Sequence, residues 1–314
     1  MDSYKSFVGI DVGKFCFVVA QHGSKLIKEY ENTGQGINQF LKEFKKELPD
    51  ALCVLEPTGG YEMNLLLTLC DKGYSVHRAH TRNIKNFIRS YGTDAKTDNL
   101  DAKALSRYGF ERSNSLEKYV PPPKETIELY ELTQRRKDLK QILVAEKNRL
   151  KAPYVQFVKS SIEKLINMLE SELEQITTQI NTMIESNDSY NKKKKIIKSI
   201  PGIGDIIANE LLVLLPELGQ LSRRTIASLV GVAPIPKDSG KYKGYRRTGH
   251  GRQGIKPALF LAAMAARNSN SRLKTYYEDL IKRGKSKMVA LTALMRKIIV
   301  IANAKLRDHL QSAS

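Results

Sequence analysis

The chain has 314 residues, which is enough for about two domains and for at least one sizeable hydrophobic core. Its formal net charge of +19 favours a polyanionic partner such as nucleic acid over neutral metabolites, although a ribosome-associated or merely soluble basic protein is the alternative. The three cysteines have no paired spacing, which predicts buried thiols in a reducing compartment and no zinc site. The sequence has no signal-peptide pattern, and its apolar stretches are too short for a membrane span. We therefore expect a cytoplasmic protein without membrane association.

The first third of the chain changes from a meander of short strands to alternating strands and helices. Strands are predicted from β-rich apolar runs over residues 5–11, 15–21, 25–31, 51–55 and 74–79. Helices are predicted from apolar residues at helical spacing over residues 36–48, 61–71, 81–90 and 98–110. This order indicates an α/β domain with a mixed sheet over residues 1–115.

Two leucine- and isoleucine-rich heptad seams follow the proline run at 121–123 and are separated by Pro153. They predict that residues 121–190 form an antiparallel coiled coil or pair with another subunit, with an intramolecular spacer as the alternative. The basic stretch 191–195 is predicted to be a linker.

The last part of the chain, residues 196–314, is predicted to be a compact and mostly α-helical domain. Its helices are predicted over residues 206–215, 224–230, 257–266 and 287–306. A glycine-rich basic loop over residues 237–254 separates the second of these helices from the third.

Two carboxylates follow predicted strands of the α/β domain. Asp11 closes the first strand within the motif GIDVG, a pattern typical of ribonuclease-H-like nucleases, where the aspartate holds magnesium, and of the sugar-kinase and actin group. A turn-forming aspartate is the alternative. Glu56 ends the buried run 51–55, and if that strand neighbours the first, both carboxylates project from the sheet edge where α/β proteins bind ligands.

Two further carboxylates, Asp98 and Asp101, are three residues apart at the start of a predicted helix. This spacing presents both on one face, although a helix cap and a favourable helix-dipole contact would explain them too. Four carboxylates in mutual contact need cations between them, and oxygen ligands of this kind select Mg²⁺ or Mn²⁺. The set Asp11, Glu56, Asp98 and Asp101 therefore predicts a metal site that supports phosphoryl transfer.

The C-terminal domain carries two candidate nucleic-acid contacts. Gly202 and Gly204 lie in IPGIG before an apolar helix, which resembles a helix–hairpin–helix whose amides face a phosphate; an ordinary helix connection is the alternative. In the loop, glycines alternate with cations that could approach phosphates, namely Lys241, Lys243, Arg246, Arg247 and Arg252. Ser239 heads this run as a candidate nucleophile, although serine in a polar loop is usually a turn residue.

Six motifs in this order resemble one family, the DEDD-type transposases of insertion sequences of the one-ten type, which are related to the Piv DNA invertases. They are GIDVGK, LEPTGGY, KTDNLDA, the central heptad region, IPGIG, and DSGKYKGYRR followed by an alanine-rich helix. The resemblance covers nearly the whole chain, and the shared order and spacing make it specific.

The resemblance implies a RuvC-like (ribonuclease-H-like) nuclease fold for the first domain and a C-terminal transposase domain. It places the family's four acidic metal ligands on Asp11, Glu56, Asp98 and Asp101, and its essential serine on Ser239. It further implies a recombinase that acts on donor and target DNA through a phosphoserine intermediate. A structured bridge RNA is implied as a guide, and a homodimer or homotetramer whose active site combines two protomers.

Three other functions remain open from the residues alone. A RuvC-like structure-selective nuclease would use water in place of Ser239. A non-enzymatic nucleic-acid-binding module would leave four carboxylates in a basic protein unexplained. A sugar-kinase-like protein would need a second glycine-rich phosphate loop after the mid-domain strand, and the sequence has none there.

Overall fold

A five-stranded mixed sheet organises the first part of the chain. The computed structural model describes residues 4–91, 98–236, 238–240, 242–244, 246–249, 251–252 and 254–312, with only the backbone for residues 238, 239, 242 and 243. These residues form two compact units that divide between Pro122 and Pro123.

The predicted strands of the first unit are confirmed. They are β1 Ser6–Val12, β2 Cys16–Gln21, β3 Ile27–Glu31, β4 Ala51–Leu55 and β5 Ser75–Arg78, in the sheet order β3-β2-β1-β4-β5. The first three pair antiparallel, as a meander must, whereas β4 runs parallel to β1 and β5 parallel to β4. The predicted mixed sheet follows from this change of direction and is consistent with a ribonuclease-H-like fold.

Helices cover both faces of this sheet. They are α1 Gly34–Glu43, α2 Met63–Asp71, α3 Thr81–Arg89 and α4 Asp98–Arg112. Helices α1 and α2 pack on the face that carries Val8, Ile10 and Val12. Helices α3 and α4 pack on the opposite face, against β2 and β4 side chains such as Val18 and Val54.

Helix α1 ends earlier than the apolar spacing predicted. The prediction extended it to residue 48, but the helix stops at Glu43, and a 3₁₀ turn at Leu48–Asp50 follows. Phe44 and Leu48 are nevertheless buried in the core beneath this face. Their apolar spacing therefore reflects burial of a turn as well as of a helix.

Helix α4 lies directly against β1 at Gly9. A Cβ atom at Gly9 would stand 2.1 Å from the carbonyl oxygen of Ala102 and 2.2 Å from the backbone nitrogen of Ser106. Real Cβ contacts are never this short, so the helix backbone occupies the space that any side chain at this strand position would need. This close approach sets the distance between α4 and the sheet.

The second unit begins with two long helices, α5 Lys124–Arg149 and α6 Gln156–Ser186. Leu139 and Leu143 pack with Ile162 and nearby residues of α6, whereas Leu129, earlier in α5, packs with residues late in α6. This reversed order of contacts describes an antiparallel helical hairpin. Its supercoiling, and its role as a separate domain or in oligomerisation, stay predictions.

The predicted linker over residues 191–195 is wrong, because these residues lie inside helix α7 Asp188–Lys198. The Asn187 side chain caps this helix by accepting a hydrogen bond of 3.1 Å from the Tyr190 amide. Lys194 is only 4% exposed and donates to Asn181 (3.0 Å) and to Glu185 (3.3 Å). A run of lysines that looked like a solvated connection therefore includes a buried, paired cation.

The remaining helices form the core of the second unit. They are α8 Asp205–Leu214, α9 Arg223–Leu229, α10 Ile255–Ala266, α11 Arg272–Lys282 and α12 Lys287–Ser312. Two short antiparallel strand pairs lie between α9 and α10. They are β6 Pro234–Ile235 with β9 Arg247–Thr248, and β7 Asp238–Ser239 with β8 Tyr242–Lys243. Helix α11 was not predicted, since it is mostly polar and buries only Leu273. None of the helices in the described parts of the chain has both the length and the apolar character required to cross a bilayer.

The contact at Gly9 leads to a stability prediction. We expect Gly9→Ala to lower the free energy of unfolding by about 1–3 kcal/mol, because α4 must move away from β1 to admit the methyl group. Gly34→Ala is the matched control, since among the described residues nothing lies within 4 Å of a Cβ there and alanine favours helix α1. Urea unfolding of both variants measures this difference, and equal stability would contradict the tight α4–β1 packing.

Candidate active site

Asp11 and Glu56 are neighbours at the carboxyl edge of the sheet. In the parallel pairing of β1 with β4, Ile10 stands opposite Leu55, so the next residues along the two strands are Asp11 and Glu56. Asp11 shares the α4 side of the sheet with Gly9, two residues earlier. Val54, two residues before Glu56, lies on the same side. The predicted approach of these two carboxylates therefore follows from the register.

The first turn of α4 reaches the same edge. Near the C-terminal end of α4, a Cβ on Gly109 would lie 2.9 Å from the Val54 side chain and 3.5 Å from Phe7, at the beginning of β1. The middle of α4 contacts Gly9, so the helix runs opposite to β1. Asp98 and Asp101 occupy the first turn of the helix and thus lie toward the end of β1 where Asp11 is found.

The negative charges at this edge act on the thiol of Cys16. The pKa of its thiol is raised, chiefly by a hydrogen bond with Glu29, then by burial, and further by the negative charges of Asp98 and Asp11. Two candidate ligands from different elements therefore act on one thiol. Of the three cysteines that were expected to be buried, only Cys53 is; Cys16 and Cys70 are partly exposed unpaired thiols.

The residues at this edge fit a hard divalent cation by their chemistry, since all four candidates supply carboxylate oxygens. Within the parts of the chain that the structure describes, however, no three His, Cys, Asp or Glu side chains are grouped closely enough to hold a metal ion. The described edge brings the four carboxylates to one end of the sheet without closing them into a cage.

A buried carboxylate that the sequence analysis missed lies directly behind this edge. Glu62, just before α2, has no exposed surface, and its Oε2 accepts hydrogen bonds from the amides of Thr58 (2.9 Å) and Gly60 (3.0 Å). Its Oε1 accepts from Arg78 Nη2 at 2.5 Å. Burial acts to raise the pKa of Glu62, but these donors outweigh it and hold the pKa below its ordinary value.

The segment with Ser239 is a short hairpin in the second unit. The backbone of Ser239 pairs with that of Tyr242, which makes Gly240, with φ of +54°, the first residue of a two-residue turn. Lys241 lies outside the described residues, as do the side chains of Ser239 and Lys243. Arg246 and Arg247 are exposed, and Arg247 lies in β9.

The two ends of the loop that carries Ser239 are in close contact. A Cβ on Gly251 would stand 2.3 Å from the backbone nitrogen of Gly231, so the two chain segments pack backbone against backbone at these glycines. The next amide, that of Arg252, donates to the carbonyl of Leu229 at 2.7 Å. The chain segments that enter and leave the loop are therefore held together at residues 229–231 and 251–252, the neck of the loop.

Arg252, whose predicted phosphate contact stays a prediction, binds protein groups at the base of this loop. Its guanidinium forms a fork with both carboxylate oxygens of Glu217, at 2.8 and 2.6 Å, and also donates to the carbonyl of Leu214 at 2.8 Å. These bonds tie the neck of the loop to the end of α8. Its position in a run of cations concealed this role, because the partner lies 35 residues away.

The two glycines of IPGIG differ in what they do. Gly202 has φ of +92°, and a Cβ there would lie 2.3 Å from the carbonyl oxygen of Ala262 in α10, so glycine permits a close packing of this turn. Gly204 precedes α8 as its N-cap. The turn joins α7 to α8, as a helix–hairpin–helix requires, but Asp205 in the first turn of α8 is paired with Lys198 at 2.7 Å. A phosphate contact at Gly202 and Gly204 stays a prediction.

Comparison with known proteins finds family matches in two parts of the chain. Residues 8–158 match a DEDD-type family described as "Transposase", and residues 194–278 match the "Transposase IS116/IS110/IS902 family". The protein is a member of this transposase family. The resemblance drawn from the motifs is thus confirmed, and the chain is a transposase or recombinase enzyme whose substrate is DNA.

Relatives of this transposase come from several bacteria. The "Pilin gene-inverting protein" of Moraxella lacunata is 26% identical over 316 residues, which cover 97% of each chain. A 43.6 kDa protein of the insertion element IS110 from Streptomyces coelicolor is 30% identical over 150 residues, 47% of this chain and 36% of that protein. A 42 kDa protein of IS900 from Mycobacterium paratuberculosis is 29% identical over 151 residues, 46% of this chain and 38% of that protein.

The contrast between Arg252 and Arg247 can be tested by their effects on stability. We expect Arg252→Gln to lower the free energy of unfolding by about 1–2 kcal/mol, since it removes a solvent-screened fork and a carbonyl contact. Arg247→Gln, at an exposed position, should change it by less than about 0.5 kcal/mol. Urea unfolding at neutral pH measures both.

The pH dependence gives a second reading of the same pair. The Arg252 bonds keep the pKa of Glu217 below its ordinary value of 4.5 in spite of burial. Stability from this pair is therefore present above pH 4.5 and is lost as the pH falls through the folded value. The difference between wild type and Arg252→Gln should shrink on that acidic side, and a difference that stays constant would contradict the assigned pair.

Proposed function

We propose that this transposase cuts and rejoins DNA with a divalent metal ion held by Asp11, Glu56, Asp98 and Asp101 and with Ser239 as nucleophile. The observation that carries the metal half is the convergence of β1, β4 and the first turn of α4 at one edge of the sheet. Register neighbours from two parallel strands and a helix start are an economical way to gather carboxylates from distant parts of a chain.

The proposed ligands suit Mg²⁺, with Mn²⁺ as a substitute. When bound, such an ion supplies electrostatic stabilisation of the scissile phosphate and of the leaving oxygen. Asp11 and Glu56 are held by strands and would form the rigid part of the site. Asp98 and Asp101 would complete it from α4, whose position depends on the contact at Gly9.

The proposed reaction conserves the phosphodiester bond energy. The Ser239 hydroxyl loses its proton to a nearby base or water and attacks the phosphorus, while the bond to one deoxyribose oxygen breaks and that oxygen leaves with a proton. The product is a phosphoserine linkage and a free DNA hydroxyl. A hydroxyl of a new partner strand then attacks the same phosphorus and releases serine, which restores one phosphodiester for each one broken.

The cationic loop supports this reaction by binding phosphates. Arg246 and Arg247 are exposed next to the serine hairpin, and Lys241 and Lys243 belong to the same loop. Guanidinium groups match phosphate oxygens in pairs. We assign to these cations the placement of DNA strands on Ser239.

The partners of the reaction are proposed from the family resemblance. Donor and target DNA would be recognised through a structured bridge RNA, and the surplus of 19 positive charges suits two kinds of nucleic acid at once. A dimer or tetramer would let the carboxylates of one protomer meet Ser239 of another. The pilin gene-inverting relatives, which match over 97% of the chain, support strand exchange over simple cleavage.

A RuvC-like nuclease that uses water is the second candidate, because the carboxylate edge alone would serve it equally well. The two reactions differ in their products. Hydrolysis leaves free DNA ends, whereas attack by serine leaves protein joined to DNA through a bond that survives denaturation.

The test uses DNA with the ends of the native element, the flanking noncoding RNA and Mg²⁺. We expect wild type to give adducts that resist boiling in detergent, Ser239→Ala to give neither adducts nor recombinants, and Asp11→Asn to lower both by roughly a thousandfold or more. Glu43→Gln, at the C-terminal end of α1, should retain both products. Recombination at the wild-type rate by Ser239→Ala would contradict the serine route, and undiminished cleavage by Asp11→Asn would contradict the metal site.

A further inference from the structure

We infer that Glu62 is a positioning residue that holds the Glu56-bearing loop in the shape needed to bind the metal ion; this inference rests on the proposed function. The carboxylate of Glu62 holds residues 56–61 in a hydrogen-bonded turn, which we call the clasp. This carboxylate accepts hydrogen bonds from two amides of that segment, at Thr58 and Gly60, and from the Thr58 hydroxyl at 3.4 Å.

The clasp requires an unusual backbone. Gly59 has φ of +70° and Gly60 has φ of +101°, so the chain turns through two left-handed residues to direct its amides at one carboxylate. Glycine adopts these angles without steric strain, but fixing two glycines in one conformation costs more backbone entropy than fixing other residues. The ionised, buried carboxylate of Glu62 offsets this cost, because hydrogen bonds to a charged group are stronger than those between neutral groups.

Arg78 connects the clasp to the sheet. It is the last residue of β5 and stands opposite Leu55, the residue before Glu56. Its guanidinium binds Glu62 at 2.5 Å, and the next amide, that of Ala79, donates to the carbonyl of Leu55 at 2.8 Å. The segment that begins with Glu56 is therefore fixed at its start by the sheet and two residues later by Glu62.

Glu62 itself is not suited to be a metal ligand. Its side chain has no exposed surface, and each of its oxygens already accepts a hydrogen bond from the loop or from Arg78. Its contribution is to orient a ligand that it does not touch. Partners that orient metal ligands typically change metal affinity by roughly tenfold to a hundredfold when they are removed.

The proposed experiment measures Mn²⁺ binding by calorimetry and the hydrogen exchange of the peptide with residues 56–62, both on the intact protein. In Glu62→Gln one oxygen can still face the two amides, but the side chain is neutral and its NH₂ group takes the place of the oxygen that accepts from Arg78, so the clasp should loosen. We expect exchange of the Thr58 and Gly60 amides to become faster and Mn²⁺ to bind roughly ten times more weakly or worse. Saturating Mn²⁺ should restore part of the DNA cleavage.

Two controls separate the possible outcomes. Glu43→Gln removes a carboxylate of the same unit that also has three partners, Lys28, Tyr30 and Gln39, and it should leave both measurements unchanged. Asp11→Asn should abolish Mn²⁺ binding with the clasp intact. If wild type binds no Mn²⁺, or Asp11→Asn binds it normally, the proposed metal site fails.

The positioning role fails separately. If Asp11→Asn loses Mn²⁺ while Glu62→Gln binds it with wild-type affinity, Glu62 does not position the ligand. If Glu62→Gln does not fold, Arg78→Gln decides by the same criteria, since Arg78 is about one-third exposed and its loss removes only one partner of Glu62. Weaker Mn²⁺ binding by Glu62→Gln with an unchanged exchange pattern at 56–62 would also overturn the inference.

Discussion

The contact between the backbone of α4 and Gly9 is the constraint on which the first unit depends. Since the strand has no side chain there, the helix lies directly on β1 and meets the sheet with the carbonyl of Ala102 and the amide of Ser106. The helix runs opposite to the strand, so its acidic first turn reaches the end of β1. A bulkier residue at one position of one strand would move two candidate ligands away from the other two.

The loop after β4 solves the complementary problem of holding Glu56 still. A loop at the carboxyl edge of a sheet is usually more mobile than the strands it leaves. Here a buried carboxylate, two left-handed glycines and an arginine from β5 fix the loop from within. The proposed metal site thus combines a strand residue, a clasped loop and the first turn of a helix, and different contacts hold each of them in place.

The second unit places its candidate nucleophile differently. Ser239 lies in a two-stranded hairpin that projects from a helical core, and its loop is closed at the neck by Gly231, Gly251 and the Arg252–Glu217 fork. Below the neck, Gly202 allows the α7–α8 turn to pack closely on α10. Arg246 and Arg247 of this loop are exposed, which suits the proposed binding of phosphates.

Much of the first unit followed from patterns that act locally. Alternating or continuous apolar runs predicted all five strands, and the parallel register of β1 with β4 places Asp11 and Glu56 at the same sheet edge, as expected for neighbouring strand ends. Features that were not predicted depend on partners that lie on other elements. Lys194 was predicted to lie in a linker, although Asn181 and Glu185 of α6 bind it. The bond of Arg252 to Glu217 was also not predicted, and a phosphate contact of Arg252 stays a prediction. Glu62 carried no signal beyond its place in the LEPTGGYE segment, since its partners are backbone amides that any sequence possesses.

The proposed metal site is tested most directly by a crystal structure of the protein with Mn²⁺ and DNA, in which anomalous scattering is recorded at a manganese-sensitive wavelength. If the carboxylates hold a metal ion, an anomalous peak will mark a manganese ion at the carboxyl edge of the sheet. We expect this ion to lie roughly 2.0–2.2 Å from oxygens of Asp11 and Glu56 and to be bound also by Asp98 or Asp101 of α4. A manganese ion bound elsewhere, or an edge where Asp11 and Glu56 share no ion in the presence of DNA, would contradict it.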